Sequence, residues 1–498
     1  MKAKSFVLFN LVMLFALVLS ACGAPAVSEA PVADAPVVEA PVAEAPAAEE
    51  EPAQAEGPLP AVVAFPDQIA GGQPVEITVV QKPADSQPEA VAAWEAQVKR
   101  FQEKYPNVTI IGTDYAYAPD SFAALVAGDQ VPTLFEVYLT DPGKMIEQGV
   151  AYDMTELVKA QKLDTVFNPD ILAISTKDGK VYGLPRFAYA MGLAYNIKML
   201  KDAGYDAPPT TWNELAEMAQ KLTNRDAGVA GFSFITDGSG AAGWHMTTIA
   251  YNFGLKNSDI VTGTPGAYKA GFAEGAMLDA LKFAHDLRWK YDLLPLENLS
   301  WPTNGEAIAT GRAAMVVMAG DQYTWIRQTY PDAPIADFGF APLPAGPGGK
   351  SVSLVGGNIA MISAKATAGQ AEAAFYWRMF TQFDPNEIIA NYESGKSNPT
   401  VVVGSPVLPL YVGDYQVALQ ALEAQYANMP VENYALFLDA ITSGQATMQP
   451  EPLVAGQEYY SALGAAVSTV VADQASDPAA VLQETAETFQ TNVLDLLK

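Results

Sequence analysis

The chain has 498 residues, of which 50% are hydrophobic and 17% charged, enough apolar material for a large core and, at this length, for two or more domains. Its formal net charge of -28 argues against a phosphate-rich partner such as nucleic acid, which is held by clustered Lys and Arg. A single cysteine and two histidines exclude an intramolecular disulfide and a multi-cysteine metal site, and leave little material for metal or Ser-His-Asp chemistry.

Lys2 and Lys4 precede an apolar segment from Phe6 to Leu19, too short and too sharply ended for a comfortable membrane span, so residues 1–21 read as a signal peptide. The segment ends in Leu19-Ser20-Ala21-Cys22, which resembles the bacterial lipobox. That resemblance implies lipidation of Cys22, the sole cysteine, and anchorage in the membrane through its acyl chains. A chance cysteine behind a conventional signal peptide is the alternative. Residues 22–70 begin as near repeats of Ala, Pro, Val and Glu, with Glu39, Glu44, Glu49, Glu50, Glu51 and Glu56 repelling one another. They read as a disordered, semi-rigid spacer.

Val75 to Val80 reads as a buried strand and Lys82 to Gln87 as the loop at its carboxyl end. A helix from about Glu89 to Tyr105 carries Val91, Trp94, Val98 and Phe101 as its buried stripe, and a second strand runs to Ile111. Ser121 can cap a helix that Gly128 ends, and Pro132 to Tyr138 is a third strand. Alternating strands and helices imply a doubly wound α/β sheet, whose ligands bind beyond the carboxyl ends of its strands. Asp85, Ser86, Tyr138, Thr140 and Asp141 then lie on loops facing a cleft, although each can equally be a loop cap or an ordinary exposed polar residue.

Met191, Leu193 and Tyr195 belong to another buried strand, and Pro208-Pro209 forbids helix beyond it. Thr211 and Glu214 have capping-box spacing ahead of a helix whose Leu215, Met218, Ala219 and Leu222 share one face. Gly231 to Ile235 reads as a strand, and the glycine-rich loop Asp237 to Gly243 lacks the lysine of a phosphate-binding loop, which removes a nucleotide site. His245 has no nucleophile pattern around it and reads as a surface residue or a neighbour of the site. Met277 to Trp289 is amphipathic. Gly356-Gly357 allows close approach of a ligand to the backbone, and Asn358 offers both donor and acceptor. A helix from Glu372 to Phe383 and a helical tail from Leu419 to Lys498 follow.

The order Tyr182-Gly-Leu-Pro-Arg186, Leu193-Ala-Tyr-Asn196, Ala203-Gly204, Pro208-Pro209 and Thr211-Trp212 closely resembles extracellular solute-binding protein family 1, the maltose-binding type, whose members serve ABC importers. Gly311-Arg-Ala-Ala-Met315, Phe338 to Pro344 with Leu354 to Asn358, and Asp477-Pro478 opening the last helix extend the likeness, while Pro132-Thr133 departs from the family's Pro-Asp. The resemblance implies the two-lobed periplasmic-binding-protein fold of type II, each lobe a mixed sheet flanked by helices and joined by a three-segment hinge. It implies an N-terminal lobe of residues 71–188 plus 340–364 and a C-terminal lobe of 189–339 plus 365–498. The chain would first cross between Phe187 and Met191, and the helix Glu372 to Phe383 would return it to the second lobe.

Arg186 and Tyr189 would then stand at the cleft, where a guanidinium fork and a phenol suit hydroxyl-rich or carboxylate ligands. Trp244 could stack on a pyranose ring, or pack in the core. Trp301, Asp321, Gln322, Gly357 and Asn358 complete a candidate ligand-binding set with Asp85, Ser86, Tyr138 and Asp141. The implied function is an extracytoplasmic, lipid-anchored receptor that closes on a small solute, a sugar or oligosaccharide first, and delivers it to ABC permease subunits. It would act as a monomer, without catalytic residues, cofactor or metal. The alternatives are a secreted carbohydrate-active enzyme using two carboxylates and a surface lipoprotein without a transport role.

Overall fold

Eight strands build one mixed sheet in which the two longest members change partners part-way along their length. The computed structural model describes residues 59–346, 349–398 and 401–497; the signal segment 1–21, Cys22 and the spacer up to residue 58 lie outside the described residues. The strands are β1 (Val75–Val79), β2 (Val108–Gly112), β3 (Leu134–Tyr138), β4 (Gly183–Asn196), β5 (Met315–Ala319), β6 (Phe338–Ala341), β7 (Ser351–Ile362) and β8 (Ala446–Pro450). Their order is β6-β4-β7-β3-β1-β2, with β5 also on β4 and β8 also on β7.

β1 runs parallel to β2 and β3, as the doubly wound reading requires. β4 pairs with β7 from Gly183 to Ala190, and from Met191 onward with β5 and then β6. β7 in turn pairs with β8 from Ser351 to Val355 and with β3 from Asn358 to Ile362. Both long strands therefore carry the chain from one packed region into another, and their side chains are buried along most of their length, as expected of strands covered on both faces.

One apolar cluster joins Ile77, Val79 and Val108 to Phe101 of the helix Pro88–Lys104 and to Phe375 and Phe380 of the helix Ala368–Phe383. A second gathers Met191, Leu193, Met315 and Val317 beneath the helices Trp212–Leu222, Gly240–Asn252, Ala276–Trp289, Gly456–Ala472 and Pro478–Asn492. The expected capping box is present: Thr211 Oγ1 accepts from the Glu214 N–H at 3.2 Å, and Glu214 Oε2 accepts from the Thr211 N–H at 3.2 Å. Asp477 caps the last helix by accepting from the Ala479 N–H.

Four local readings are corrected by the structure. Residues 59–70 are not spacer: Val63 and Ile69 are buried in the first cluster, the Tyr105 hydroxyl donates to the Pro66 carbonyl at 2.8 Å, and the Phe65 ring lies 6.2 Å from that of Tyr376. The apolar run Val62, Val63, Phe65 and Ile69 outweighs the neighbouring prolines. The helix Ala368–Phe383 packs on β1 in the first cluster rather than in the second, because its Ala371, Ala374 and Phe375 face that sheet; the chain rejoins the second cluster only after β8. In place of a strand at Gly231 to Ile235 there are isolated bridges, Ala230 to Ala313 just before it and Ser233 to Val316 within it. The cap residue of the helix Pro119–Ala127 is Ala118 rather than Ser121, whose hydroxyl turns back onto the Ala118 carbonyl.

The helices Gly240–Asn252 and Gly456–Ala472 approach closely through glycines. A Cβ on Gly243 would lie 2.0 Å from the Tyr460 carbonyl oxygen, and one on Gly464 would lie 2.0 Å from that of Ser239. Hydrogen is the only side chain that fits such a backbone contact. Gly243→Ala is expected to destabilise the chain by roughly 2 kcal/mol through overpacking; an unchanged urea midpoint would contradict this packing.

Candidate functional site

The pairing of β4 with β7 slips by one residue at Arg186, since Asn358 faces Phe187 while Ile359 faces Pro185. A bulge of this kind re-aims the side chain of the extra residue. Arg186 Nε lies 3.0 Å from Glu136 Oε1. Glu136 stands on the same face of β3 as Tyr138 and is only 6% exposed. Its other oxygen accepts from Gln81 Nε2 and, at 3.3 Å, from Asn358 Nδ2. One carboxylate thus ties together the chain leaving β1 and strands β3, β4 and β7. The multiplicity matters because a buried charge is costly unless every acceptor site has a donor.

Beside this group, beyond the carboxyl ends of β1, β2 and β3, is a cavity of about 370 Å³ lined by Gln81, Tyr117, Glu136, Tyr138, Arg186 and Asn358. The Tyr138 hydroxyl donates to the Tyr117 carbonyl at 3.0 Å, and the two rings meet edge to face at 5.0 Å. A larger cavity of about 800 Å³ shares Val80, Gln81, Glu136 and Arg186 with it and extends toward the helices Pro385–Ser394 and Gly413–Tyr426.

Tyr189 holds a second group. Its ring meets Trp244 edge to face at 5.8 Å, and the charges of Glu451 and Asp321 act on its phenol, whose pKa burial has already raised. Burial lifts the carboxyl of Asp321 to about 6, against the opposing pull of its own N–H and that of Gln322. Burial likewise lifts Glu451 to about 8; the Tyr460 hydroxyl, 3.3 Å away, counteracts this and the charge of Asp141 adds to it. Asp141 is itself raised by burial, with the hydroxyls of Tyr117 and Thr140 working against the rise. Next to Asp141, Thr140 Oγ1 accepts from Gln457 Nε2 at 3.0 Å, and Lys144 Nζ is 3.4 Å from Glu458 Oε1. The short helix Pro142–Glu147 and the start of the helix Gly456–Ala472 therefore meet here. Among the described residues no group of three or more His, Cys, Asp or Glu is placed to hold a metal ion.

A sequence profile of bacterial extracellular solute-binding proteins matches residues 84–377, more than half of the chain. The chain belongs to that family. Among its relatives, a probable ABC transporter-binding protein of Deinococcus radiodurans is 29% identical over 238 residues, covering 45% of this chain and 52% of the relative; the chain spans about half the length of the curated relatives it matches. The fold is that of the maltose-bound T. maritima MalE3, with a TM-score of 0.66 at 20% identity over 84% of this chain and 100% of that one. It is also that of UgpB from Mycobacterium tuberculosis in complex with glycerophosphocholine, with a TM-score of 0.64 at 19% identity over 84% and 98%. The α/β fold expected from the sequence is therefore that of the MalE-type periplasmic binding proteins.

Within this solute-binding fold seven of the twelve sequence candidates fall into two groups. Tyr138, Arg186 and Asn358 share the smaller cavity, while Tyr189, Trp244, Asp321 and Asp141 gather around the buried acids. Gly357 lies in β7 with φ 154°, where a Cβ would meet the Phe187 carbonyl oxygen at 2.3 Å, and its own carbonyl accepts from the Leu139 N–H at 3.1 Å. The others lie elsewhere. Asp85 and Ser86 are exposed and line neither cavity, and Asp85 pairs with Lys82 at 2.7 Å, which holds its carboxyl below the usual value. Trp301 opens a helix; its ring rests on Trp325 at 5.1 Å, and its carbonyl accepts from the fully buried Gln322 at 3.0 Å. Trp244 lies inside its helix and is nearly buried.

Sequence reasoning passed over Gln81, Tyr117, Glu136 and Glu451. A lone acid inside the apolar run Leu134-Phe-Glu-Val-Tyr138 was a usable signal, since a charge on a buried strand must have partners. Glu451, between Pro450 and Pro452, carried none.

The raised pKa of Glu451 has a stability consequence. Between its unfolded value near 4.5 and its folded value of about 8 the native state retains a proton that the unfolded chain has released, so stability falls as pH rises through that window. Asp321 adds the same sign between 3.8 and about 6. Glu451→Gln is expected to flatten the decline in urea midpoint between about pH 5 and about pH 8; parallel profiles for variant and parent would contradict the assignment.

Proposed function

We propose that this chain is the extracytoplasmic receptor of an ABC importer, which binds a small solute, a sugar or oligosaccharide first, between two closing halves and hands it unaltered to permease subunits. The observation that carries the reading is the cavity beyond the carboxyl ends of β1 to β3, where Tyr117, Tyr138, Gln81, Asn358 and the Glu136–Arg186 pair converge. Carboxylate, amide and phenol groups can together donate to and accept from hydroxyls, and the aromatic rings provide apolar faces. A maltose-bound neighbour and a relative named as an ABC transporter-binding protein support the same class. An anionic solute such as a phosphodiester fits less well, because Arg186 is committed to Glu136 and the carboxyl of Asp321 acts on Tyr189.

In this reading one half comprises residues 59–190 and 356–398 and the other 191–346, 349–355 and 451–497, with the intervening segment 401–450 against both. Closure adds contacts that the open state lacks; those of Gln457 with Thr140 and of Lys144 with Glu458 are of this kind. The receptor acts as a monomer, tethered by a lipidated Cys22 behind the signal segment 1–21, with a spacer ending near residue 58. The family is extracellular, and among the described residues no helix is long and apolar enough to cross a membrane.

Two experiments test this reading. In a thermal-shift screen of the full-length chain against sugars, polyols, amino acids and peptides, a sugar present at a hundred times its dissociation constant should stabilise the native state by about 2.7 kcal/mol and be recovered unchanged, with Asn358→Ala weakening it. Stabilisation by amino acids or peptides alone, or conversion of the sugar, would sink the reading. Cys22→Ser should move the protein from the membrane to the soluble fraction of the expressing cells; retention on the membrane would exclude the lipid tether.

A further inference from the structure

Much of the larger cavity is walled by residues past 377, where the family profile ends. On one side is the helix Ala368–Phe383, whose Arg378 and Gln382, four residues apart, share a face. On the other is the stretch from Gly404 to Tyr411, held to β4 by the Leu408 N–H, which donates to the Ala188 carbonyl at 2.9 Å. Gln382 joins the two sides: its Nε2 donates to the Pro185 carbonyl at 3.0 Å and to the Tyr411 hydroxyl at 2.8 Å.

Three polar groups in this lining have bonding capacity left over among the described residues. Arg378 is half-buried, its Nε is buried without an acceptor, and its guanidinium forms no ion pair. Gln382 Oε1 is buried and has no donor. The amide cannot be turned over to relieve this, because the Pro185 carbonyl only accepts and so requires the nitrogen. The Tyr411 hydroxyl accepts from Gln382, which leaves its own proton to donate. The charges of Glu136 and Arg186 both act on Arg378, and Glu136 is already bound by Arg186 at 3.0 Å. Two guanidinium groups thus share one carboxylate, and one positive charge is left over. The other carboxylates of the lining are engaged elsewhere: Glu387 pairs with Arg100, and Glu423 accepts from the Tyr392 hydroxyl at 2.9 Å. Burial lowers the Arg378 guanidinium to about 10, with Glu136 opposing the fall and Arg186 adding to it, so it keeps its charge at neutral pH. A cation in such a place is costly without a counter-charge.

We propose that the larger cavity is a separate binding site for a small hydroxycarboxylate of about the size of an aldonic acid. The carboxylate accepts from Arg378 and from the Tyr411 hydroxyl, and a hydroxyl of the same molecule donates to Gln382 Oε1. One molecule then meets all three outstanding requirements. A carboxylate suits the site better than inorganic phosphate, because its single charge matches the single charge left over and its carbon chain meets the apolar surface of Val407 and Val431. The cavity volume of about 800 Å³ is within the range of small-molecule sites. The site does not depend on which solute the smaller cavity takes.

The test is calorimetric titration of the full-length chain with the sodium salts of gluconate, galactonate and lactate. Glucitol, which lacks the charge, hexanoate, which lacks the hydroxyls, and sodium chloride are the controls. At least one hydroxycarboxylate should bind at least roughly tenfold more tightly than all three controls. Arg378→Met keeps the bulk of the side chain without its charge; it should abolish that preference while keeping or raising the melting temperature of the ligand-free protein, since an unpaired cation is removed. Tyr411→Phe, which loses only the hydroxyl, should weaken the binding roughly tenfold. Asn358→Ala, at the smaller cavity, should leave it unchanged. Equal binding of the hydroxycarboxylates and the controls, or a preference that survives Arg378→Met, overturns the site. So does a preference lost with Asn358→Ala, which would place the ligand in the smaller cavity. A lowered melting temperature in Arg378→Met together with unchanged binding in Tyr411→Phe would make Arg378 a structural residue and overturn it as well.

Discussion

Much of the architecture turns on the satisfaction of one buried carboxylate. Glu136 lies in the middle of β3, and its two oxygens are occupied by Arg186, Gln81 and Asn358. Each donor comes from a different stretch of chain; removing Arg186 would leave the buried carboxylate without its counter-charge, whereas removing Gln81 or Asn358 would cost one neutral donor. The bulge at Arg186 is the local distortion that makes the arrangement possible, because without the extra residue the guanidinium would alternate to the opposite face of β4. A structural requirement and a cavity lining are here the same set of atoms, since both cavities meet at this pair.

The strands that carry these residues run between the two apolar clusters, and a third cluster packs Val137, Ala190 and Ile359 together with Val316 and Phe340 where they meet. β4 and β7 are continuous through the point at which their partners change, and the switch occurs between Ala190 and Met191 on one and between Val355 and Asn358 on the other. A rotation of one half about the other would be taken up by the few residues at those switches, as in hinge motion generally. Tyr189 lies at this position, in contact with Trp244 and within the field of Asp321 and Glu451, so its surroundings would change most on such a rotation.

How much of this was legible in the sequence depended on whether the signal was local. The capping box at Thr211 and Glu214, the Asp477-Pro478 helix start and the buried strands through Ile77, Val137 and Leu193 were recognisable because caps and apolar periodicity are encoded within a few residues. Placement of the helix Ala368–Phe383 was not, since its alanine and aromatic stripe suits either cluster and only the tertiary partner decides. Residues 59–70 were misread because their prolines resemble the preceding spacer, while Val63 and Ile69 find a core supplied by distant residues. Among the candidates, Tyr138, Arg186 and Asn358, chosen through strand-end reasoning and family likeness, share one cavity. Asp85 and Ser86 followed the same rule yet remain in solvent, because a loop at a strand end need not turn inward. Glu451 becomes significant only through Asp141 and Tyr189, far from it in the chain, and Tyr460 on the following helix.

The central claim is mechanical: the halves joined by β4 and β7 draw together on a solute. Its most direct measurement is the distance between spin labels at Lys159→Cys in the first half and Lys282→Cys in the second, both exposed positions, in a chain whose native cysteine is replaced by Cys22→Ser. A saturating solute should collapse a broad distribution onto a shorter, narrower one. A distribution unchanged at saturation would contradict closure and leave the molecule a rigid binder.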